Sequence, residues 1–524
     1  MSSHTSDTLW EAMRNTAFYP HTTYNIQVIH THISTVFLTG EFAYKIKKPV
    51  NFGFLDFTQL ADRQHFCEEE LRLNRRFAPK LYLDVLPILL VDGTYRLGSA
   101  TAKTSADVVE YAVKMRQFDP SQQLDCLLSA NLLPLEQMDE LATRLARFHQ
   151  QAEVAPATSE RGLPANVLAP MLQNFLSLRQ HLHGEHVLKR LAPLEDWTQQ
   201  TYAQRHERLL HRQQSGYIRA CHGDLHLGNI ALIDAEITFF DGIEFSEALR
   251  WIDTASDVAF LLMDLHDRGK PAWAHRLLNT WLTESGDYAA LPLLNFYQAY
   301  RAMVRAKVHA LRLSQLEDTA ERAACLQQCD RYLTLAETYT HARQPALLIT
   351  HGLSGSGKSW ACREVVEQLG CIQLRSDVER KRHYSGSAQH LYSAAMNTRT
   401  YDRLVELATL ALQSGYSVVV DATFLQPAQR HRFQQLARDR QLTFLILHFE
   451  ATPAQLESNI LQRQQAGNDA SDADIAVLHQ QLTHYKPLQD NEPYVTVRFN
   501  EGLPLARLQA LLDCSEKHGV ENAS

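Results

Sequence analysis

The chain has 524 residues, 45% of them hydrophobic, which is enough for roughly two to four domains with cores of their own. Its 51 basic and 59 acidic residues leave a net charge of −8, which argues against binding nucleic acid through bulk charge. Eight cysteines are scattered without a CxxC pair or a His/Cys cluster at zinc spacing, Met1–Asp7 is polar, and no apolar run approaches the length of a membrane span, so a cytoplasmic protein with no membrane partner is expected.

Asp7–Thr16 reads as a short helix. Strands follow at Asn25–Thr31, Ser34–Thr39 and Phe42–Val50, the last two joined at Gly40-Glu41. Alternation along the third puts Ala43, Lys45 and Lys47 on one face and Tyr44 and Ile46 on the other. Thr58–Phe77 predicts a helix rich in acids, Glu68, Glu69 and Glu70 among them, and Tyr82–Leu90, Tyr95–Leu97 and Val108–Gln117 predict further strands. This N-terminal block is a small, mostly antiparallel sheet with one prominent helix.

From Gln122 the pattern turns helical, with helices predicted at Leu133–Ala152, Met171–His183 and Leu194–Gln214. Then comes Cys221-His222-Gly223-Asp224-Leu225-His226-Leu227-Gly228-Asn229-Ile230, followed by a hairpin ending at Ile237–Asp241. Asp224 and Asn229 stand five residues apart, and Asp241 twelve further on. That is the spacing logic of a kinase catalytic loop: one aspartate accepts the proton of the substrate hydroxyl, while an asparagine and a second aspartate converge on Mg²⁺ from the two ends of a hairpin. Asp253 and Asp257 follow, as supports of that loop, substrate contacts or helix N-caps. Helices resume at Asp257–Arg268, Ala272–Glu284, Leu291–Leu313 and Asp318–His341, the last stopping before Pro345.

Gly352-Leu353-Ser354-Gly355-Ser356-Gly357-Lys358-Ser359 fits the phosphate-cradling pattern G-x-x-x-x-G-K-[ST], between an apolar strand (Ala346–Thr350) and a predicted helix at Lys358–Leu369. Glycines let backbone N–H groups converge on phosphate oxygens, the helix N-terminus adds partial positive charge, Lys358 reaches the β/γ-phosphates and Ser359 offers its hydroxyl to Mg²⁺. Further apolar strands at Ile372–Leu374, Ser417–Thr423, Thr443–Phe449 and Tyr494–Phe499 alternate with helical patterns, which predicts a five-stranded parallel sheet covered on both faces. Asp377 and Asp421 lie at strand C-termini, where such sheets place functional groups.

The His222–Asn229 loop and Asp241, with a β-rich lobe before and a helical lobe around them, resemble the aminoglycoside phosphotransferase family. The resemblance covers about residues 20–340 and implies a two-lobed, α+β, protein-kinase-like domain. By it Asp224 is the catalytic base, and Asn229 and Asp241 are magnesium ligands. Ala43-Tyr44-Lys45 is similar to the end of the strand that supplies the ATP lysine, so Lys45 would bind ATP. Its helix partner would be Glu70 or Glu68, with Glu70 favoured. The Thr31–Ser34 turn lacks the glycines of a glycine-rich loop. The stretches Ala43–Pro49 and Cys67–Arg76 resemble a bacterial subgroup in which such a domain is fused to a P-loop kinase.

The P-loop region resembles small kinases related to polynucleotide 5′-hydroxyl kinases and zeta toxins. That resemblance makes Asp377 the base for the acceptor hydroxyl and Arg380 a substrate contact. It places Asp421 near Mg²⁺ and makes Arg463, before the polar Gln464–Asp474 segment with Asp469 and Asp472, an arginine that neutralises the transferred phosphoryl group. The expected architecture is thus a kinase-like domain over 1–342 (N-lobe about 20–118, helical lobe about 119–342) and an α/β P-loop NTPase domain over 343–524. The expected function is an ATP- and Mg²⁺-dependent phosphotransferase with two domains, each acting on a hydroxyl of a small molecule. Two alternatives stay open: an N-terminal pseudokinase-like ligand sensor that regulates the P-loop kinase, and a P-loop kinase acting on nucleic-acid 5′-hydroxyls. Neither acceptor nor the oligomeric state is legible.

Overall fold

The computed structural model describes residues 2–51, 55–99, 108–182, 184–313, 316–382, 393–466, 474–498 and 502–510. The chain packs as two compact units, one comprising Met1–Glu140, Arg147–Leu176 and Thr198–Asp264, the other Leu141–Ala146, Ser177–Trp197 and Leu265–Ser524.

In the first unit, helix α1 (Ser2–Met13) precedes strands β1 (Gln27–His30), β2 (Ser34–Leu38) and β3 (Phe42–Lys47), helix α2 (Leu60–Asn74), and strands β4 (Tyr82–Val91), β5 (Thr94–Leu97) and β6 (Val108–Arg116). The six strands form one antiparallel sheet in the order β1-β2-β3-β6-β4-β5. Its core gathers Met13, Phe37, Tyr44, Ile46 and Ile88, with α2 packed through Cys67 near Leu81, Tyr82 and Val113. Alternation along β3 therefore sends Tyr44 and Ile46 into that core, while Lys45 and Lys47 point together at α2.

Helices α3 (Leu124–Ser129), α4 (Gln137–Gln151), α5 (Pro164–His181) and α6 (Glu185–Gln214) follow. In α4 the buried residues Met138, Leu141, Ala142 and Leu145 fall at helical spacing on one stripe. Helices α5 and α6 begin well before the predicted Met171 and Leu194, because each continues through an internal proline, Pro170 and Pro193. Strand β7 (Ile218–Ala220) leads into the catalytic-loop sequence, and β8 (Ile230–Ile233) and β9 (Glu236–Phe239) form the hairpin before Asp241. Helix α7 (Glu247–Arg250) and strand β10 (Trp251–Asp253), paired antiparallel with β7, lead into α8 (Thr254–Asp267).

The second unit takes α9 (Pro271–Ser285), α10 (Leu291–Leu313) and α11 (Thr319–Thr338) together with the P-loop sheet. That sheet is built from β11 (Ala346–His351), helix α12 (Lys358–Leu369), β12 (Ile372–Arg375), helices α13 (Ser376–Arg382) and α14 (Ala394–Gln413), β13 (Val418–Asp421), helix α15 (Pro427–Arg438), β14 (Thr443–Glu450), helices α16 (Pro453–Ala466) and α17 (Ile475–His484), and β15 (Tyr494–Arg498). All five strands run parallel in the order β12-β13-β11-β14-β15. Every residue of β11 and β13 is buried, as the central strands of a sheet covered on both faces must be. Residues Asp469 and Asp472 lie outside the described residues. Among the described residues no helix is long and apolar enough to cross a membrane.

Candidate active sites

In the first unit a lysine from the sheet, a glutamate from α2 and the aspartate after the hairpin meet at one point. Lys45 Nζ lies 2.8 Å from Glu70 Oε1 and also touches Asp241 Oδ1, whereas Glu68 bonds within its own helix, to Gln64. Burial alone would depress the Lys45 ammonium, but the carboxylates of Asp241, Glu70 and Glu244 more than offset it, so the group stays charged. Lys47 Nζ bonds the other Glu70 oxygen at 2.8 Å and pairs with Glu244.

Asp241 adopts a left-handed backbone conformation (φ 60°), held by its N–H on the Tyr82 hydroxyl at 3.0 Å and by the next amide, Gly242, on Asn74 Oδ1 at 2.8 Å. Its carboxylate is 45% exposed.

The catalytic-loop sequence is fixed from beneath by α8. Asp257, fully buried, accepts from the amides of His222 (3.1 Å) and Gly223 (3.0 Å) and lies 3.1 Å from His149 Nε2. Seven residues along the same helix, Asp264 accepts from the Leu227 amide at 2.9 Å. Asp253 instead accepts from Nε and Nη2 of Arg212, both at 2.7 Å, and caps the start of α8 through the Ala255 amide. Gly223 is required twice over: its φ is +87°, and a Cβ there would come within 2.7 Å of the Leu249 carbonyl. His222 is buried and its pKa is pushed down by that burial; it donates from Nε2 to the Phe240 carbonyl at 2.9 Å, tying the loop to the hairpin.

Asn229 donates from Nδ2 to the Asp224 carbonyl (2.9 Å) and to Asp224 Oδ2 (3.3 Å), which turns its Oδ1 away from Asp224. The donors gathered here are all oxygens, from Asn229 and Asp241, and suit a hard cation such as Mg²⁺.

In the second unit Ser354, Gly355, Gly357, Lys358 and Ser359 line a cavity of about 600 Å³ together with Asp377, Arg380, Asp421 and Arg463. Gly352 and Ser356 belong to the same loop, with Ser356 N–H on the Leu353 carbonyl at 3.2 Å and Gly357 in left-handed conformation at the start of α12. Lys358 donates to the Leu353 carbonyl at 2.7 Å, and burial lowers its pKa against the pull of Asp421 and Asp377. Asp421, at the end of β13, is pushed up by burial, with Arg375, Lys358 and the Ser359 hydroxyl pulling the other way. The Ser359 hydroxyl and the Asp421 carboxylate again form an oxygen donor set that fits Mg²⁺. At the start of α13, Asp377 pairs with Arg380 at 2.8 Å, and Arg380 reaches Asn397 Oδ1 at 3.2 Å. Arg380 is mostly buried, and it lines the cavity with its guanidinium between Asp377 and Asn397.

Residues 108–294 match the family model described as phosphotransferase enzyme family, and residues 347–488 match one described as AAA domain. A protein of Mycobacterium tuberculosis (strain H37Rv), described as uncharacterized, is 31% identical over 464 residues, which cover 86% of this chain and 89% of that protein. A Mycobacterium bovis protein matches with the same figures. The chain belongs to the family of these mycobacterial proteins. Two kinase-type domains make this family member a phosphotransferase. Its fold is also similar to solved structures, among them a choline/ethanolamine kinase family protein from Mesorhizobium loti (13% identity, 63% of this chain and 99% of that one, TM-score 0.36). A gluconokinase from Sinorhizobium meliloti matches at 20% identity over 34% of this chain and 96% of its own, with a TM-score of 0.25.

Several residues that build these sites carry no local motif. Glu244 answers Lys47 across 197 residues, and Asn74 and Tyr82 hold the backbone around Asp241. In the family's P-loop unit, Gln373 on β12 donates to Asp421 Oδ2 at 3.0 Å, and Asn459 on α16 donates to the Gly355 carbonyl at 2.8 Å. Only Asp264 left a legible trace: it sits seven residues after Asp257, two helical turns along the same face.

Proposed function

We propose that each unit transfers the γ-phosphoryl group of ATP, as its Mg²⁺ complex, to a hydroxyl of a small molecule. The observation that supports the reading is that two unrelated folds each offer a lysine and two carboxylates of the kinds that phosphoryl transfer uses, to which we give three roles. These are a lysine for the phosphates, a carboxylate placed to accept a hydroxyl proton and a carboxylate suited to Mg²⁺. In the first unit they are Lys45, Asp224 and Asp241; in the second, Lys358, Asp377 and Asp421. Asp224 takes the acceptor proton as the oxygen attacks phosphorus, and its side chain, 39% exposed, is open to an incoming molecule. In the P-loop unit Arg380 holds Asp377 in place for the same task, and Arg463 opposes the charge that develops on the phosphoryl oxygens. Asn229 and Asp241 in the first unit, and Ser359 and Asp421 in the second, would hold magnesium, which would supply neutralising charge to the phosphates.

Two observations favour a second reading of the first unit. Lys45 is engaged with Asp241, and the Thr31–Ser34 turn carries no glycine, as in a domain that binds a ligand and regulates rather than catalyses. The test is turnover of ATP with Mg²⁺ and a bacterial metabolite extract by the wild type, Asp224→Ala and Lys358→Ala. Loss of one distinct phosphorylated product in each variant supports two kinases. If Asp224→Ala changes nothing while Lys358→Ala abolishes all turnover, the first unit is a regulatory module.

A further inference from the structure

The phosphate loop is gripped from the side by two helices. Leu353 packs against a small core of Leu456 and Ile460 from α16 and Leu478 from α17, which Ile475 of α17 also covers, and Gly355 lies so close to α16 that a Cβ would come within 2.6 Å of the Leu456 carbonyl. On this small core α17 presents Gln481 to the loop. Gln481 Oε1 accepts from the Ser354 backbone N–H at 2.9 Å, and Gln481 Nε2 donates to Ser354 Oγ at 2.9 Å.

The orientation of this carboxamide follows from chemistry. A backbone N–H can only donate, so the atom facing it must be the amide oxygen, and the amide nitrogen must face the hydroxyl. Two donors are then left over. Nε2 keeps its second hydrogen, for which no further partner stands among the described residues, and Ser354 Oγ, already accepting, keeps its own hydrogen to give. Ser354 and Gln481 both line the cavity. Lys358 marks which end of a nucleotide they would meet: its ammonium, which serves the terminal phosphates in this motif, rests on the carbonyl of Leu353, the residue next to Ser354.

We propose that Gln481 and Ser354 form a donor pair for the terminal phosphate of a nucleoside triphosphate, so that this cavity distinguishes triphosphate from diphosphate through α17. The inference rests on the reading of Gly352–Ser359 as a nucleotide site. Gln481 is a ligand contact that α17 brings to the loop, and the loop's own backbone amides supply the rest of the cradle.

The test is calorimetric titration of the full-length protein with two probes, the magnesium complexes of ADP and of a non-hydrolysable β,γ-imido ATP analogue. The binding component that disappears in Lys358→Ala belongs to this cavity. In that component Gln481→Ala should weaken the triphosphate about ten-fold, the scale of one charge-assisted hydrogen bond, and the diphosphate less than two-fold. Gln481→Glu keeps the acceptor for the Ser354 amide but sets a carboxylate beside the phosphate, so it should weaken the triphosphate further and again spare the diphosphate. Equal shifts for both nucleotides, or none, would overturn the inference and leave the nucleotide site standing. If Lys358→Ala removes no component, the nucleotide reading of the loop fails and the inference falls with it.

Discussion

Lys47 and Glu244 form an ion pair in which neither partner reaches water, their side chains being 1% and 4% exposed. Removing one member of such a pair strands the other's charge in the interior, at a cost of about 3–5 kcal/mol. Lys47→Met should therefore lower the thermal unfolding midpoint of the first unit markedly. Lys45 shares Glu70 with Lys47 but lies nearer the surface and faces Asp241. Lys45→Met should cost less stability and act mainly on function, raising KM for ATP in the Asp224-dependent reaction at least ten-fold. Thermal melts and initial rates of the two variants check the contrast; a Lys47→Met protein as stable as the wild type would contradict it.

The reach of sequence reasoning follows the reach of the interactions. The phosphate loop was legible because its chemistry is local: the glycines, Lys358 and Ser359 act within one turn, and Gly357 and Gly370 bound α12 in left-handed conformation at its two ends. The parallel sheet was legible because strands buried on both faces have to be continuously apolar, as Leu347–Ile349 and Val418–Val420 are. The starts of α5 and α6 were not. A proline removes one helical hydrogen bond and usually marks a boundary, yet Pro170 and Pro193 are carried inside helices whose faces bury Met171, Phe175, Leu191 and Leu194. Tertiary burial outweighed the local penalty. Contacts such as Lys47 to Glu244 and Ser354 to Gln481 join residues 197 and 127 positions apart, and a side-chain type alone does not say which distant partner it will find.

Asp257 and Asp253 offer a sharper separation. Asp257 holds two amides of the catalytic-loop sequence, whereas Asp253 holds Arg212 and the start of α8. Asp257→Asn keeps one acceptor oxygen and should leave the unit folded while slowing the Asp224-dependent reaction about 10–100-fold, the scale on which misplacing a reacting group costs rate. Asp253→Asn should chiefly destabilise, because the buried Arg212 fork loses its charge partner. Steady-state rates beside melting curves for both variants decide this. Equal effects on rate and stability in the two would show that Asp257 has no separate hold on the loop.

His351 ends β11 just before the phosphate loop, with its Nδ1 2.9 Å from His448 Nδ1 on the neighbouring strand. Burial, then the His448 ring and Arg430, lower its pKa from 6.5 to about 4. The folded pKa thus lies below the unfolded one, so unfolding takes up a proton throughout this interval. The contribution to stability is complete above pH 6.5 and is lost as the pH falls towards about 4. Melting temperatures measured across that range should fall with acidification in the wild type. His351→Asn, which cannot titrate, should show a shallower slope, and an unchanged slope would place the acid sensitivity elsewhere.

The last relation lies at the edge of the parallel sheet, where α9 secures β12. Asn279 Oδ1 accepts from the Gln373 amide at 2.7 Å and its Nδ2 donates to the Cys371 carbonyl at 3.0 Å, so one side chain satisfies two backbone groups of an edge strand. Gln373 in turn donates its own side chain to Asp421. Asn279→Ala leaves both backbone groups without that partner and should cost about 1–3 kcal/mol, visible as a lower melting temperature with KM for ATP unchanged. Gln373→Leu keeps the backbone bonds but frees the Asp421 oxygen. Its effect should appear in the magnesium dependence of the Lys358-dependent reaction, as a several-fold rise in the half-saturating Mg²⁺ concentration, with little change in melting temperature. A Gln373→Leu protein with wild-type magnesium dependence would mean that Asp421 keeps its orientation without this contact, held by Ser359 and Arg375 alone.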